Sequence, residues 1–247
     1  MNAKVWLVGA GPGDPELLTL KAVRAMNEAD VVLIDDLVNP AVLEHCVEAR
    51  VITVGKRGGC RSTPQDFIHR LMLRYARQGK CVVRLKGGDP CIFGRGGEEA
   101  MWLRERGVEV ELVNGITAGL AGATNCAVPL TLRGVSRGVT LVTAHTQDDS
   151  SLNWRALAEG GTTLVVYMGV AKLEEIRQQL LDGGMRPDMP VAMIENASLP
   201  QQRECRSDLS HMHEDARAFA LKSPAILVIG RVAATGHAVF LAEAASA

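Results

Sequence analysis

Residues 84–99 read RLKGGDPCIFGRGGEE and follow the apolar run Cys81-Val82-Val83. That run has the character of a buried strand end. Gly87 and Gly88 permit a tight turn and a close approach of another group to the backbone. Asp89 brings a carboxylate into the turn, and Pro90 stiffens it. Ile92 and Phe93 add apolar surface, Arg95 adds a cation, and Glu98-Glu99 open a helical run through Met101 and Leu103. Strand, glycine turn with one acid, apolar wall and helix is the order in which an α/β protein builds a site at the carboxyl edge of its sheet. The alternative is a plain strand-to-helix connection whose glycines only turn the chain. The length and glycine content of the loop speak against it.

The alternation extends outward on both sides. Strands are expected at residues 4–8, 30–34, 50–55 and 108–113, with helices at 16–27, 62–78 and 98–106, the second of these capped by residues 62–65. The fifth strand runs into Asn114-Gly115-Ile116-Thr117-Ala118-Gly119, a turn of small residues. Loops of this kind at the same ends of successive strands predict a parallel sheet with helices on its faces. Residues 133–138, RGVSRG, read as a boundary. Beyond it strands are expected at 139–144, 162–168, 190–194 and 225–229, and helical segments at 154–159, 172–181 and 208–221. The expected architecture is two α/β domains, residues 1–134 and 135–247, with the site in the cleft between them.

Three further loops carry candidate chemistry. Residues 9–15, GAGPGDP, invite a dinucleotide-binding reading, but the spacing is not G-x-G-x-x-G and Asp14 would repel a pyrophosphate. Asp35 and Asp36 end the second strand, where acids either serve a site or cap the segment 40–47. Lys56-Arg57-Gly58-Gly59-Cys60-Arg61 is the densest basic loop, either a solvated surface or a seat for an anionic ligand.

Composition removes several classes. The 247 residues are 47% hydrophobic, so a sizeable core is expected and disorder is not. Only 4% are aromatic and the net charge is −1, which leaves little for base stacking or for tracking a phosphate backbone. The six cysteines form no C-x-x-C pair, and the six histidines form no metal set. Residues 115–132 are uncharged but contain Asn125, Pro129 and several glycines, so buried loops and a short helix are expected rather than a membrane span. A soluble cytoplasmic protein is expected.

The set GAGPGDPELLT at 9–19, VGKR at 54–57, RLKGGDPCIFGRGGEE at 84–99, GITAG at 115–119 and PLTLRG at 129–134 resembles the tetrapyrrole methyltransferase family, as do YMG at 167–169, ENAS at 195–198 and SPAILVIG at 223–230. The resemblance implies a homodimer of two α/β domains, unlike a Rossmann-type methyltransferase. It implies S-adenosylmethionine as methyl donor, no metal, and uroporphyrinogen III as acceptor. Methylation at C2 and C7 would give precorrin-2 for sirohaem, cobalamin and haem d1 synthesis. By matching motif positions, the donor contacts would be Pro12, Gly87, Gly88, Asp89, Ile92, Phe93, Thr117, Ala118, Met168, Ala197 and Ala225. Asp35, Lys56 and Arg95 would handle the acceptor or its proton, with Glu98 beside them. Asn114 stands where many members have proline, which should leave that turn looser but intact.

Overall fold

The computed structural model describes residues 4–55, 63–145 and 152–235. The chain divides into two compact units, Met1–Thr117 and Ala118–Ala247.

The first unit holds β1 (Lys4–Gly9), β2 (Val31–Ile34), β3 (Arg50–Thr53), β4 (Val82–Lys86) and β5 (Glu109–Val113), in the order β3-β2-β4-β1-β5. Every pairing in this sheet is parallel, as the β-α alternation predicts. Its helices are α1 (Leu20–Asn27), α2 (Gln65–Arg77) and α3 (Gly96–Arg104). Successive strand residues feed opposite faces. Trp6, Val8, Val32, Ile34, Val83 and Leu85 pack with Ala22 and Met26 of α1 on one face. Val5, Leu7, Val31, Leu33 and Val82 pack with Met72 of α2 and Leu103 of α3 on the other. The period of two carries Arg84 and Lys86 onto the same face as Val82, towards α2 and α3.

Helix starts depart from expectation in two places. A 3-10 turn at Pro15–Leu17 precedes α1, and Thr19 Oγ1 caps α1 by accepting from Ala22 N at 3.1 Å. Among the described residues no side chain caps α2; Thr63 Oγ1 donates instead to the Gly55 carbonyl at 3.3 Å. Ser62 lies outside the described residues.

The second unit holds α4 (Ala118–Asn125), β6 (Val139–Thr143), α5 (Trp154–Glu159), β7 (Thr163–Tyr167), α6 (Leu173–Asp182), β8 (Pro190–Glu195), β9 (Arg203–Asp208), α7 (Met212–Ala218) and β10 (Ala225–Ile229). The sheet order is β6-β7-β10-β8-β9. Only β6 and β7 run parallel; the other three pairings are antiparallel. Ala123 of α4 packs against Val165, Ile194, Ile226 and Val228 on one face of this sheet. Leu164, Val166, Val191, Met193 and Leu227 face Ile176, Leu180 and Met212 on the other. Strand β9 is absent from the sequence-based expectation.

Candidate active site

In the first sheet β1 and β4 are neighbours, yet β1 leads on to β2 on one side and β4 to β5 on the other. Such a divergence is where open α/β sheets place ligands, beyond the carboxyl ends of the strands. The loops leaving these two strands are tied together, Gly88 N donating to the Gly11 carbonyl at 2.7 Å and Gly11 N to the Gly88 carbonyl at 3.2 Å. Gly11 and Gly88 have φ of +72° and +68°, a region L side chains avoid. A Cβ on Gly9 would lie 2.6 Å from both Gly115 N and the Gly88 carbonyl oxygen, so the three loops meet backbone to backbone.

Asp89 fastens this junction. It is 7% exposed. Its Oδ1 accepts from Cys91 N at 2.8 Å within its own turn, and Oδ2 accepts from Gly115 N at 3.1 Å in the turn after β5. The carboxylate expected among the donor contacts thus shapes the loops with both oxygens. It also holds the turn that Asn114 was expected to loosen.

Beyond Asp89 the chain takes two left-handed residues, Phe93 (φ 53°) and Arg95 (φ 58°), before α3 begins. Phe93 is left half-exposed. Arg95 grips Glu98, with Nη2 to Oε2 at 2.6 Å and Nε to Oε1 at 3.2 Å. The hydrogen bond from Arg95 holds the Glu98 carboxyl below its ordinary range, and the same bond raises Arg95.

Asp35 stands just past β2 and does not cap the following segment. Asn39 does that, its Oδ1 accepting from Ala41 N at 3.1 Å. Asp35 is the partly exposed end of a buried charge cluster. Arg84 Nη2 donates to Asp35 Oδ1 at 2.6 Å. Lys86 Nζ donates to Glu99 Oε1 at 3.2 Å and lies 3.9 Å from Asp35 Oδ2. Gln65 Nε2 donates to the same Glu99 oxygen at 2.7 Å and lies 3.2 Å from His69 Nε2. Burial pushes Lys86 down, and neighbouring Arg84 adds to the effect. Burial likewise lowers His69. Arg84, Lys86, Glu99, Gln65 and His69 are not among the sequence-derived candidates. The signal was present, because two cations alternate through a strand that is otherwise apolar and buried. Lys56, Arg57 and Arg61 lie outside the described residues.

In the second unit, Tyr167 Oη accepts from Gly119 N at 2.9 Å, which draws the start of α4, with Ala118, to the end of β7. Met168 follows at φ 55°, half-exposed. Ala197 sits between Asn196 (φ 52°) and Ser198 (φ 64°), and Ser198 N donates to Gln202 Oε1 at 2.7 Å. Ala197 and Ala225 are buried, and Ala225 pairs with Glu195 in the β8–β10 ladder. Thr117 is buried at the last position of the first unit. Of the seven non-glycine residues with positive φ among those described, Phe93, Arg95, Met168, Asn196 and Ser198 are, or adjoin, expected site residues. Each such residue costs about 1–3 kcal/mol, and such residues gather at functional sites.

Pro12, Gly87, Gly88, Asp89, Ile92 and Phe93 therefore belong to the joined loops of the first unit, and Ala118, Met168, Ala197 and Ala225 to turns and strand ends of the second. A groove of about 380 Å³ lined by Arg50, Ile52, Thr53, Val54, Thr63, Phe67, Leu71 and Tyr75 contains none of them. Among the described residues, no group of three or more His, Cys, Asp or Glu is placed to hold a metal, and no helix is long and apolar enough to cross a membrane.

The sequence profile of the tetrapyrrole (corrin/porphyrin) methylases matches residues 4–213. The chain is 82% identical over 247 residues to a uroporphyrinogen-III C-methyltransferase of Pseudomonas fluorescens, covering 100% of both chains. It is 75% identical over 232 residues to a uroporphyrinogen-III C-methyltransferase of Pseudomonas aeruginosa, covering 94% of this chain and 95% of that one. The crystal structure of uroporphyrin-III C-methyltransferase from Thermus thermophilus, complexed with S-adenosyl homocysteine, superposes with a TM-score of 0.81 at 43% identity, covering 93% of this chain and 98% of that one.

Proposed function

Because the chain belongs to the tetrapyrrole (corrin/porphyrin) methylases, we propose that it transfers methyl groups from S-adenosylmethionine to C2 and C7 of uroporphyrinogen III, giving precorrin-2. The observation that carries this reading is the 82% identity, end to end, with a uroporphyrinogen-III C-methyltransferase.

The donor would be held by Pro12, Gly87, Gly88, Asp89, Ile92, Phe93 and Thr117 of the first unit and Ala118, Met168, Ala197 and Ala225 of the second. Half-exposed Phe93 and Met168, each on strained backbone, suit the apolar faces of a nucleoside, and the small residues leave backbone amides within reach. When bound, the donor supplies an electrophilic methyl carbon on a sulfonium. The protein holds a pyrrole carbon in line with it, and alignment of this kind lowers a barrier by up to about 7–11 kcal/mol. As the ring carbon gains the methyl, the carbon–sulfur bond breaks and sulfur keeps the electron pair. The ring becomes cationic and then loses a proton. Asp35 supplies the carboxylate that takes this proton, and Arg95 pairs with carboxylates of the acceptor, as do Lys56 and its neighbours. The molecule works as a homodimer in the cytoplasm, with neither nucleic acid nor membrane as partner.

A panel of reduced tetrapyrroles tests the assignment. Uroporphyrinogen III and its singly methylated product should accept methyl groups, and later corrin precursors should not. Folded protein that binds S-adenosylhomocysteine but methylates only a later precursor would replace this substrate with that one.

A further inference from the structure

Arg84 is 2% exposed in the middle of a parallel strand buried along its whole length. Stability gives no reason for a cation there, since buried ion pairs contribute little net stability compared with well-packed apolar side chains. The cluster it belongs to is graded in exposure. The side chain of Glu99 is 0% exposed, Arg84 2%, Lys86 6% and Asp35 29%, so only the Asp35 end opens to solvent. Arg84 is fixed from several directions. Its Nη1 lies 3.4 Å from the carbonyl oxygens of Leu33 and Leu85, Nη2 lies 2.6 Å from Asp35 Oδ1, and Nε lies 3.5 Å from Glu99 Oε1. Asp35 Oδ2 lies 3.9 Å from the Lys86 ammonium.

We infer that Arg84 is a positioning residue for methyl transfer: it clamps one oxygen of Asp35 so that the other faces the acceptor as an anion in a fixed direction. Glu99 and Lys86, behind it, keep the guanidinium from turning away. The inference rests on the proposed role of Asp35. When a pyrrole carbon takes up a methyl group, the positive charge left on the ring is shared with its N–H. An anion already in place offsets that charge without reorganising.

The test uses the full chain with S-adenosylmethionine and uroporphyrinogen III. Turnover is counted per S-adenosylhomocysteine-binding site, measured by calorimetry, so that unfolded protein does not enter the rate. Arg84→Met combined with Glu99→Gln removes one cation and one anion and leaves no buried carboxylate without a cation. Arg84→Lys keeps the charge but not the planar fork. The double variant should bind S-adenosylhomocysteine as the parent does while kcat falls between about tenfold and a hundredfold. Arg84→Lys should fall in between. Parental kcat per binding site in either variant overturns the inference, as does a loss of S-adenosylhomocysteine affinity that accounts for the loss of rate. Asp35→Asn separates the two layers. If it is inactive while the Arg84 variants turn over normally, the clamp is wrong and the role of Asp35 stands. If Asp35→Asn itself turns over normally, the role of Asp35 fails and the clamp with it.

Discussion

Asp89 joins two turns with one side chain, and its loss leaves two backbone amides, Cys91 N and Gly115 N, without that acceptor. A hydrogen bond to a charged group contributes about 1.5–3 kcal/mol. Asp89→Ala should therefore weaken S-adenosylmethionine binding by at least about tenfold and affect acceptor binding less, because the turns it ties are those assigned to the donor. Calorimetry decides, and unchanged donor affinity would remove the loop from that role. Arg95 is different. Its pair with Glu98 is exposed, and exposed pairs contribute only about 0.2–1 kcal/mol. Arg95→Ala should leave thermal stability and donor affinity close to the parent and reduce kcat/KM for uroporphyrinogen III; unchanged kcat/KM would take Arg95 out of the site. Residue types at the turn after β4 were legible in the sequence because glycine, aspartate and proline have specific backbone uses. The left-handed conformations of Phe93, Arg95 and Met168 were not. None of these three residue types favours φ > 0, and only tertiary contacts impose it. Arg84, Lys86 and Glu99 all stood inside the quoted stretch, but Glu99 lies on α3 and Asp35 just past β2, and no local pattern pairs them with β4.

Among the elements, the first sheet was the most legible. Strands buried on both faces appear as unbroken Val, Leu and Ile runs, as in β2. Strand β9 was not legible. Its sequence RECRSD is polar, only Cys205 of it is buried, and among the described residues it pairs on one side alone, with β8. Edge strands of that kind carry no hydrophobic alternation. The junction of the loops depends on glycine in the same way. Gly115→Ala would drive a Cβ into the Gly88 carbonyl and the Gly9 backbone, a clash of the kind that costs about 1–3 kcal/mol. Chemical denaturation should show that loss, and parental stability would mean that the loops separate freely. Helices α2 and α3 meet through His69, which stacks on Trp102 at 4.9 Å and faces Gln65, Asp66, Arg95, Glu98 and Glu99. Burial holds this imidazole neutral below its ordinary pKa of 6.5. The unfolded chain then binds a proton before the folded chain does. Stability is lost as pH falls from about 6.5 towards the lower native value. His69→Gln should flatten that loss below about pH 6.5 in urea titrations. An unchanged slope would mean that His69 charges freely in the folded protein.

At the scale of the whole molecule, a nearly neutral chain carries its candidate chemistry at the ends of strands in two separately cored units. The arginines and lysines assigned to the acceptor's carboxylates are local concentrations of charge, not a basic surface. Fivefold higher ionic strength should therefore weaken uroporphyrinogen III binding while leaving the donor's affinity nearly unchanged. Equal weakening of both, measured by calorimetry, would contradict this division. The central claim is the double carbon methylation itself. Carbon-13 methyl-labelled S-adenosylmethionine, incubated with the protein and freshly reduced uroporphyrinogen III, should give a product with two labelled methyl resonances, one on each quaternary carbon at C2 and C7. A folded, donor-binding protein that leaves uroporphyrinogen III unlabelled would contradict the account.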